Sequence, residues 1–372
     1  MRKAIQLVLL FGIVLYSNTP SNGSIISIHT SKIVSSGSEV KNEPGDSVKR
    51  KPDTKELTIP TSTSIRSIYE DLNGNYWIAT EGQGVFKFDG EHFKQYTKKD
   101  GLNSNYVWTI QQDRTGNLWF GTSEGINFFN GMFFVDYTKN AHAGMKSCSA
   151  SYIDKQGNIW FGTQAGVYKI NALKLQYIPL PRQNADQEKS AREYSVYSIY
   201  QDANEVFWFG TEFKGVCRYD GKNFSYIHDK GLDQGAVRSI MADKNGILWF
   251  GNNGSGLFRY DGKNLTNISL DNGVGNPKGE KACVYSPGTL ARVWSITEDK
   301  LGKLWIATID AGIWTYDGKQ LKNYTKNDGL SSLGQQIIFK DKKNKLWFGS
   351  NDGSILEFKK NSFQRMFKAG GC

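Results

Sequence analysis

Residues 71–77 read Asp-Leu-Asn-Gly-Asn-Tyr-Trp, and residues 113–119 read Asp-Arg-Thr-Gly-Asn-Leu-Trp. The same phrase returns as Asp154-Lys-Gln-Gly-Asn-Ile-Trp160 and, with variation, ahead of Trp208, Trp249, Trp305 and Trp347. The seven tryptophans are spaced 42, 41, 48, 41, 56 and 42 residues apart. A period of that size marks a radial repeat in which each unit is one small sheet. Around each phrase four strands can be read. A Val/Ile-x-Ser-Ile type strand comes first, as in Ile65–Ile68 and Val237–Ile240. The Asp-x-x-Gly turn follows, where Asp bonds its own downstream backbone and Gly supplies positive φ. A Leu-Trp-Phe-Gly-Thr strand is second, and a strand such as Gly215-Val-Cys-Arg-Tyr is third. Asp-Gly pairs at 89–90, 220–221, 261–262 and 317–318, with Asn130-Gly131 as a variant, read as two-residue hairpins into a fourth strand.

Four-stranded meanders repeated radially make a β-propeller. The fold expected is all-β, a seven-bladed propeller over residues 63–372, with the repeated Trp side chains structural. The seventh unit is degraded: Asn344 stands for Gly, and Lys359-Lys360 for Asp-Gly. Leu57–Ile59 is a candidate extra edge strand for closing the ring.

Outside the repeats, Arg2 and Lys3 precede an apolar run over Leu7–Tyr16. That is too short to span a bilayer comfortably and fits a signal peptide, placed at residues 1–24. Residues 25–62, rich in Ser, Lys and Thr and holding Pro44, Pro52 and Pro60, read as a flexible tether. The chain is therefore expected to be exported, periplasmic or extracellular, and not membrane-spanning after processing. The formal net charge of +10 permits acidic partners without identifying one. The lysines look scattered through hairpin tips such as Lys342-Lys343, with no single stripe, so nucleic acid is not an expected partner. The four cysteines match no metal spacing. By repeat alignment Cys148 and Cys217 are buried apolar side chains, while Cys283 and Cys372 are free to pair if brought together.

Variation inside a strict repeat points to function, because packing fixes the scaffold positions and leaves others free. The second residue of the first strand is Arg66, Trp108, Ser149, Tyr197, Arg238, Trp294 and Gln336 in successive units. These would ring one mouth of the central channel. Aromatic faces stack on flat ligands, and Arg forks grip carboxylate or sulfate. The ring is thus a candidate site for a carbohydrate or anionic small ligand, against the alternative of a packed plug. Insertions at 181–194 and 272–291 are expected on the same face as a lid or partner contact.

No catalytic motif is present, and no cofactor is expected. The histidines are His29, His92, His142 and His228. Glu81, Glu124, Glu212, Asp310 and Asp352 fall in second-to-third strand loops, where two could pair as acid and base, against the commoner reading of solvated loop carboxylates.

The units resemble the two-component regulator propeller repeat. Val237-Arg-Ser-Ile, Asp243, Gly246, Leu248-Trp249-Phe250-Gly251 and Gly256-Leu-Phe-Arg-Tyr-Asp261 carry the likeness, as do the Asp-Gly-Leu segments at 100–102 and 328–330. The resemblance implies a periplasmic ligand-binding sensor module, of a kind that often senses glycans. The chain ends after its seventh unit without a kinase, so such a sensor would report through a separate partner, a membrane sensor kinase. Two other readings stand beside it. One is a propeller lyase of the streptogramin-lyase type, which needs His142 or His228 near Glu124 or Glu212. The other is a protein–protein scaffold.

Overall fold

In the computed structural model every repeat folds into its own four-stranded antiparallel sheet of consecutive strands. The structure describes residues 58–59, 63–138, 146–164, 166–182, 191–276 and 288–369. The seven blades run over Ile65–Tyr96, Val107–Asp136, Ala150–Ile178, Val196–Ile227, Val237–Asn267, Val293–Tyr324 and Gln335–Arg365. The signal peptide, most of the tether, His142, Cys283, Cys372 and the middles of both insertions lie outside the described residues.

The repeated phrase does more than turn the chain. In blade 1 Asp71 Oδ1 accepts from the amides of Asn73 and Asn75 at 2.9 and 2.8 Å. Its Oδ2 accepts from Trp77 Nε1 at 2.8 Å. The same Trp-to-Asp bond recurs in all seven blades, at 2.8–3.1 Å. Each of these Trp rings is buried between neighbouring sheets, so its indole N–H needs an acceptor that moves inward with it. The Asp six residues upstream is that acceptor. Glycine takes the turn's positive φ in five blades; Glu205 and Asn344 take it in blades 4 and 7, at 64° and 62°.

The glycine of Phe-Gly-Thr has a different reason. A Cβ on Gly349 would sit 2.8 Å from Ile65 of blade 1, and one on Gly162 would sit 2.7 Å from Val196 of blade 4. The bare backbone lets the next blade's first strand come close. The following Thr hydroxyl, in Thr80, Thr211 and Thr308, donates to the carbonyl that ends the next loop. Serines of the Val-x-Ser-Ile strands tie the first strands of adjacent blades: Ser198 donates to Val237 O, and Ser295 accepts from Ile338 N.

One expectation is corrected here. The outer Asp-Gly hairpins are four-residue connections, since Phe88 pairs with Phe93 and Tyr219 with Phe224. Gly90 holds the positive φ while Asp89 Oδ1 accepts from the amides of Glu91 and His92. A carboxylate gathering two amides stabilises a wider loop than a two-residue turn. The candidate edge strand is present: Thr58–Ile59 pairs in parallel with Lys368–Ala369. The ring closes without exchanging a strand between blades 7 and 1. Tyr76 stacks on Trp347 at 4.2 Å, and Phe367 packs edge-on against Phe88 and Phe93. Cys148 and Cys217 are buried and unbridged, as expected of apolar positions.

Candidate functional site

The first strand of a blade starts at the channel mouth and runs away from it. In six blades its register against the second strand slips at one place, between residues 65 and 67, 107 and 109, 196 and 198, 237 and 239, 293 and 295, and 335 and 337. The skipped residue has no partner in the ladder. It is Arg66, Trp108, Tyr197, Arg238, Trp294 or Gln336. Such a bulge re-aims a side chain and bends its strand. Opposite each bulge, the first amide of the second-to-third strand loop donates to the carbonyl two residues before the bulged one, as Glu81 N does to Ser64 O and Asn253 N to Ala236 O. In blade 3 the equivalent Ser149 precedes the strand, and its amide donates to Gly162 O.

All seven candidate residues line one cavity of about 370 Å³. Beneath them a belt of hydroxyls, Ser67, Thr109, Ser151, Ser198 and Ser239, lines the same space. The recurring Ser of Val-x-Ser-Ile, at 67, 198 and 239, was the sequence signal for part of this belt. Arg66 is held by Glu81 at 3.0 Å and donates to Gln336 Oε1 at 2.7 Å. Its guanidinium lies 4.7 Å from the Trp108 ring and 5.1 Å from the Trp294 ring. Arg238 sits over Tyr197 at 3.9 Å and Trp294 at 4.6 Å. Burial pulls both guanidinium groups below their usual value; for Arg66 the Glu81 carboxylate opposes this.

Tyr197 donates to Glu212 Oε2 at 2.7 Å, and Arg192, from the first insertion, lies 3.5 Å from the other carboxylate oxygen. Burial, with the Glu212 bond next, pushes the Tyr197 hydroxyl up to about 12. Arg66 and Glu81 cancel, as do Arg192 and Glu212, so Arg238 leaves one positive charge in excess at this part of the mouth. Four buried donors converge here without a protein acceptor among the described residues: Arg66 Nε, Trp108 Nε1, Arg238 Nε and Trp294 Nε1.

The loop carboxylates are engaged one by one rather than with each other. Glu81 faces Arg66, Glu124 lies 4.0 Å from Lys146, Asp310 pairs with Arg292 at 3.2 Å, and Asp352 accepts from Ser350. His228 lines a separate small pocket with Tyr194, Phe213 and Lys214, and His92 stands at an exposed outer tip. Among the described residues no group of three or more His, Cys, Asp or Glu is placed to hold a metal ion. No helix among them is long and apolar enough to cross a membrane.

Comparison with known proteins adds to this geometry. Residues 101–124, 191–213, 231–254 and 288–310, in blades 2, 4, 5 and 6, match the sequence family described as two component regulator propeller. A solved extracellular domain from B. thetaiotaomicron, of a protein described as a hybrid two component system, is 25% identical with a TM-score of 0.64. The match covers 79% of this chain and 38% of that one, so this chain spans well under half of its length. Virginiamycin B lyase from Staphylococcus aureus is 16% identical with a TM-score of 0.63, over 81% of this chain and 96% of the lyase. PorZ, a surface component of the type-IX secretion system of Porphyromonas gingivalis, is 19% identical with a TM-score of 0.58, over 83% of this chain and 47% of PorZ. At those two identities the likeness is one of fold. No curated protein matches the chain in sequence.

Proposed function

We propose that this chain, four stretches of which match the two component regulator propeller family, is an exported, non-catalytic sensor propeller whose channel mouth binds an anionic small ligand. The observation that carries the reading is the set of four buried donors around one cavity, two of them on arginines, with Arg238 lacking a carboxylate partner among the described residues. Buried donors seek acceptors. A carboxylate or sulfate brings several acceptor oxygens and the charge that the mouth has in excess. Trp108, Tyr197 and Trp294 add faces for a ring, so an acidic sugar fits the chemistry. Tyr197 and Trp294 also pre-organise Arg238, which lowers the ordering cost of binding. The likeness to extracellular domains of two component systems supports a receiver in the membrane, a sensor kinase, that reads occupancy. The lyase alternative draws on fold alone.

The test is thermal shift and calorimetry of the purified protein with glucuronate, galacturonate, sulfate and neutral glucose. Ligand held by the folded state raises the melting temperature by mass action. An acidic ligand should shift the wild type, glucose should not, and Arg238→Met and Trp294→Ala should each abolish the shift. If every anion leaves the wild type unmoved, the mouth is a packed plug.

A further inference from the structure

Two of the three hairpins in every blade, fourteen in all, point to one face. Each first strand leaves the channel mouth, so its turn into the second strand lies at the far end. The second-to-third loop returns to the mouth, and the outer hairpin goes back to the far face. Contacts between neighbouring tips bear this out: Arg114 reaches Lys155 O, Lys155 Nζ reaches Ala203 O, and Lys342 Nζ reaches Asp71 O. The hairpin-tip lysines that look scattered along the sequence are therefore gathered on the face opposite the mouth.

The residue after the turn Asp is Leu72, Arg114, Lys155, Ala203, Lys244, Lys300 and Lys342 around the ring. Five of these seven are cations, none is acidic, and all are exposed. The outer tips add Lys222, Lys263 and Lys319, set beside the exposed carboxylates of Asp89, Asp220, Asp261, Asp317 and Glu91. Among the cations stand large apolar side chains with no packing role: Leu72 is 64% exposed, Met132 82%, Phe133 55%, Leu173 62% and Leu301 83%. Met132 and Phe133 occupy the tip positions that are Lys222-Asn223, Lys263-Asn264 and Lys319-Gln320 in blades 4, 5 and 6. Leu173 is held at a φ of 64°, a strained setting for a leucine, which keeps it at the apex of its turn.

We propose that this hairpin face docks on an anionic lipid surface. A ring of cations interleaved with projecting apolar tips suits a bilayer interface, where lysines meet headgroup phosphates and leucine, methionine and phenylalanine enter the acyl boundary. A nucleic acid or soluble polyanion would use the cations alone and leave the apolar tips in water. Docking by this face turns the channel mouth away from the membrane, toward solvent. The proposal is independent of the ligand reading, because no residue is shared between the two faces.

The experiment is co-sedimentation of the full-length purified protein with vesicles of phosphatidylcholine, alone or with phosphatidylglycerol at about one third. Binding is expected only to the anionic vesicles and to weaken steeply with salt. The charge variant Lys244→Glu/Lys300→Glu and the apolar variant Met132→Ser/Phe133→Ser should each lower the apparent affinity at least tenfold. Circular dichroism and melting temperature confirm that each variant is folded. Equal pelleting with neutral and anionic vesicles, or none with either, overturns the proposal. So does anionic binding that survives loss of the apolar tips and is competed away by heparin, which would mark a polyanion face instead.

Discussion

Every repeat carries two kinds of tryptophan-bearing position, and they behave oppositely. At the blade position all seven residues are Trp, and all seven donate to an Asp six residues before. At the mouth position two of seven are Trp, the rest are Arg, Tyr, Ser and Gln, and both indole N–H groups lack a protein acceptor among the described residues. The first set is enclosed by the next sheet and must bring its own hydrogen bond with it. The second lies outside the ladder, facing a cavity, so no neighbour dictates its identity. Invariance marks where packing decides, and orphaned donors mark where something other than packing does.

The contrast breaks most readily at the blade position. Trp160→Ala removes a large buried ring between blades 3 and 4 and should cost about 3–5 kcal/mol, a fall in melting temperature of roughly 6–10 °C by calorimetry. Asp154→Ala keeps the ring but strands its buried indole N–H, at about 1–3 kcal/mol; chemical denaturation should place it between Trp160→Ala and wild type. A cost within error of zero would mean that neither the turn nor the indole depends on the carboxylate. Acid sharpens the same point. Burial raises the Asp71 and Asp113 carboxyls, but donors from the Trp, Asn and Thr side chains and the backbone outweigh it, leaving both below their ordinary value. The unfolded chain then takes up protons first as pH falls. The stability these groups give is complete above about pH 4 and lost as pH drops through their lower folded values. Urea midpoints taken downward from about pH 5 should decline over that window, and the Asp71→Asn variant should decline less.

At the mouth the expected sign reverses. Arg238→Met replaces a buried guanidinium that has no carboxylate partner among the described residues with an apolar side chain that still packs on Tyr197 and Trp294. Its stability should stay within about 1 kcal/mol of wild type or rise, while the anion response disappears. A large loss of stability would instead make Arg238 a structural prop. The smallest effect expected is at blade 7, where Lys360 and Asn361 hold positive φ in place of Asp-Gly. Lys360→Gly should stabilise by a few tenths to about 1 kcal/mol, measured by thermal melting.

Much of this was open to inspection before any coordinates. The Asp-x-x-Gly-x-x-Trp spacing yields the blades, their number and the ring of Arg66, Trp108, Tyr197, Arg238, Trp294 and Gln336 about the channel. The bulge is not readable, because Val-Arg-Ser-Ile and a regular strand have the same composition; only the partner strand reveals the extra residue. The second role of the Asp also escapes a local reading, since a residue that satisfies its own turn looks fully explained. The pairing of Glu212 with Tyr197 and Arg192 joins a strand, a loop and an insertion that no spacing rule connects. The hairpin face is hidden for a simpler reason. Positions about 42 residues apart along the chain become neighbours only when the blades are arranged in a circle.

The ring's closure has a topological consequence. Blades 7 and 1 meet through the same kind of glycine approach as other neighbours, to Ile65 here and to Val196, Val237 and Val293 elsewhere, and through ring stacking, and the Thr58–Ile59 strand adds only a short parallel clasp. No blade borrows a strand from another, so the circle has no built-in beginning. Joining the two ends of the propeller and opening the chain between blades 5 and 6 would give a circular permutant with the same seven intact sheets and the same mouth.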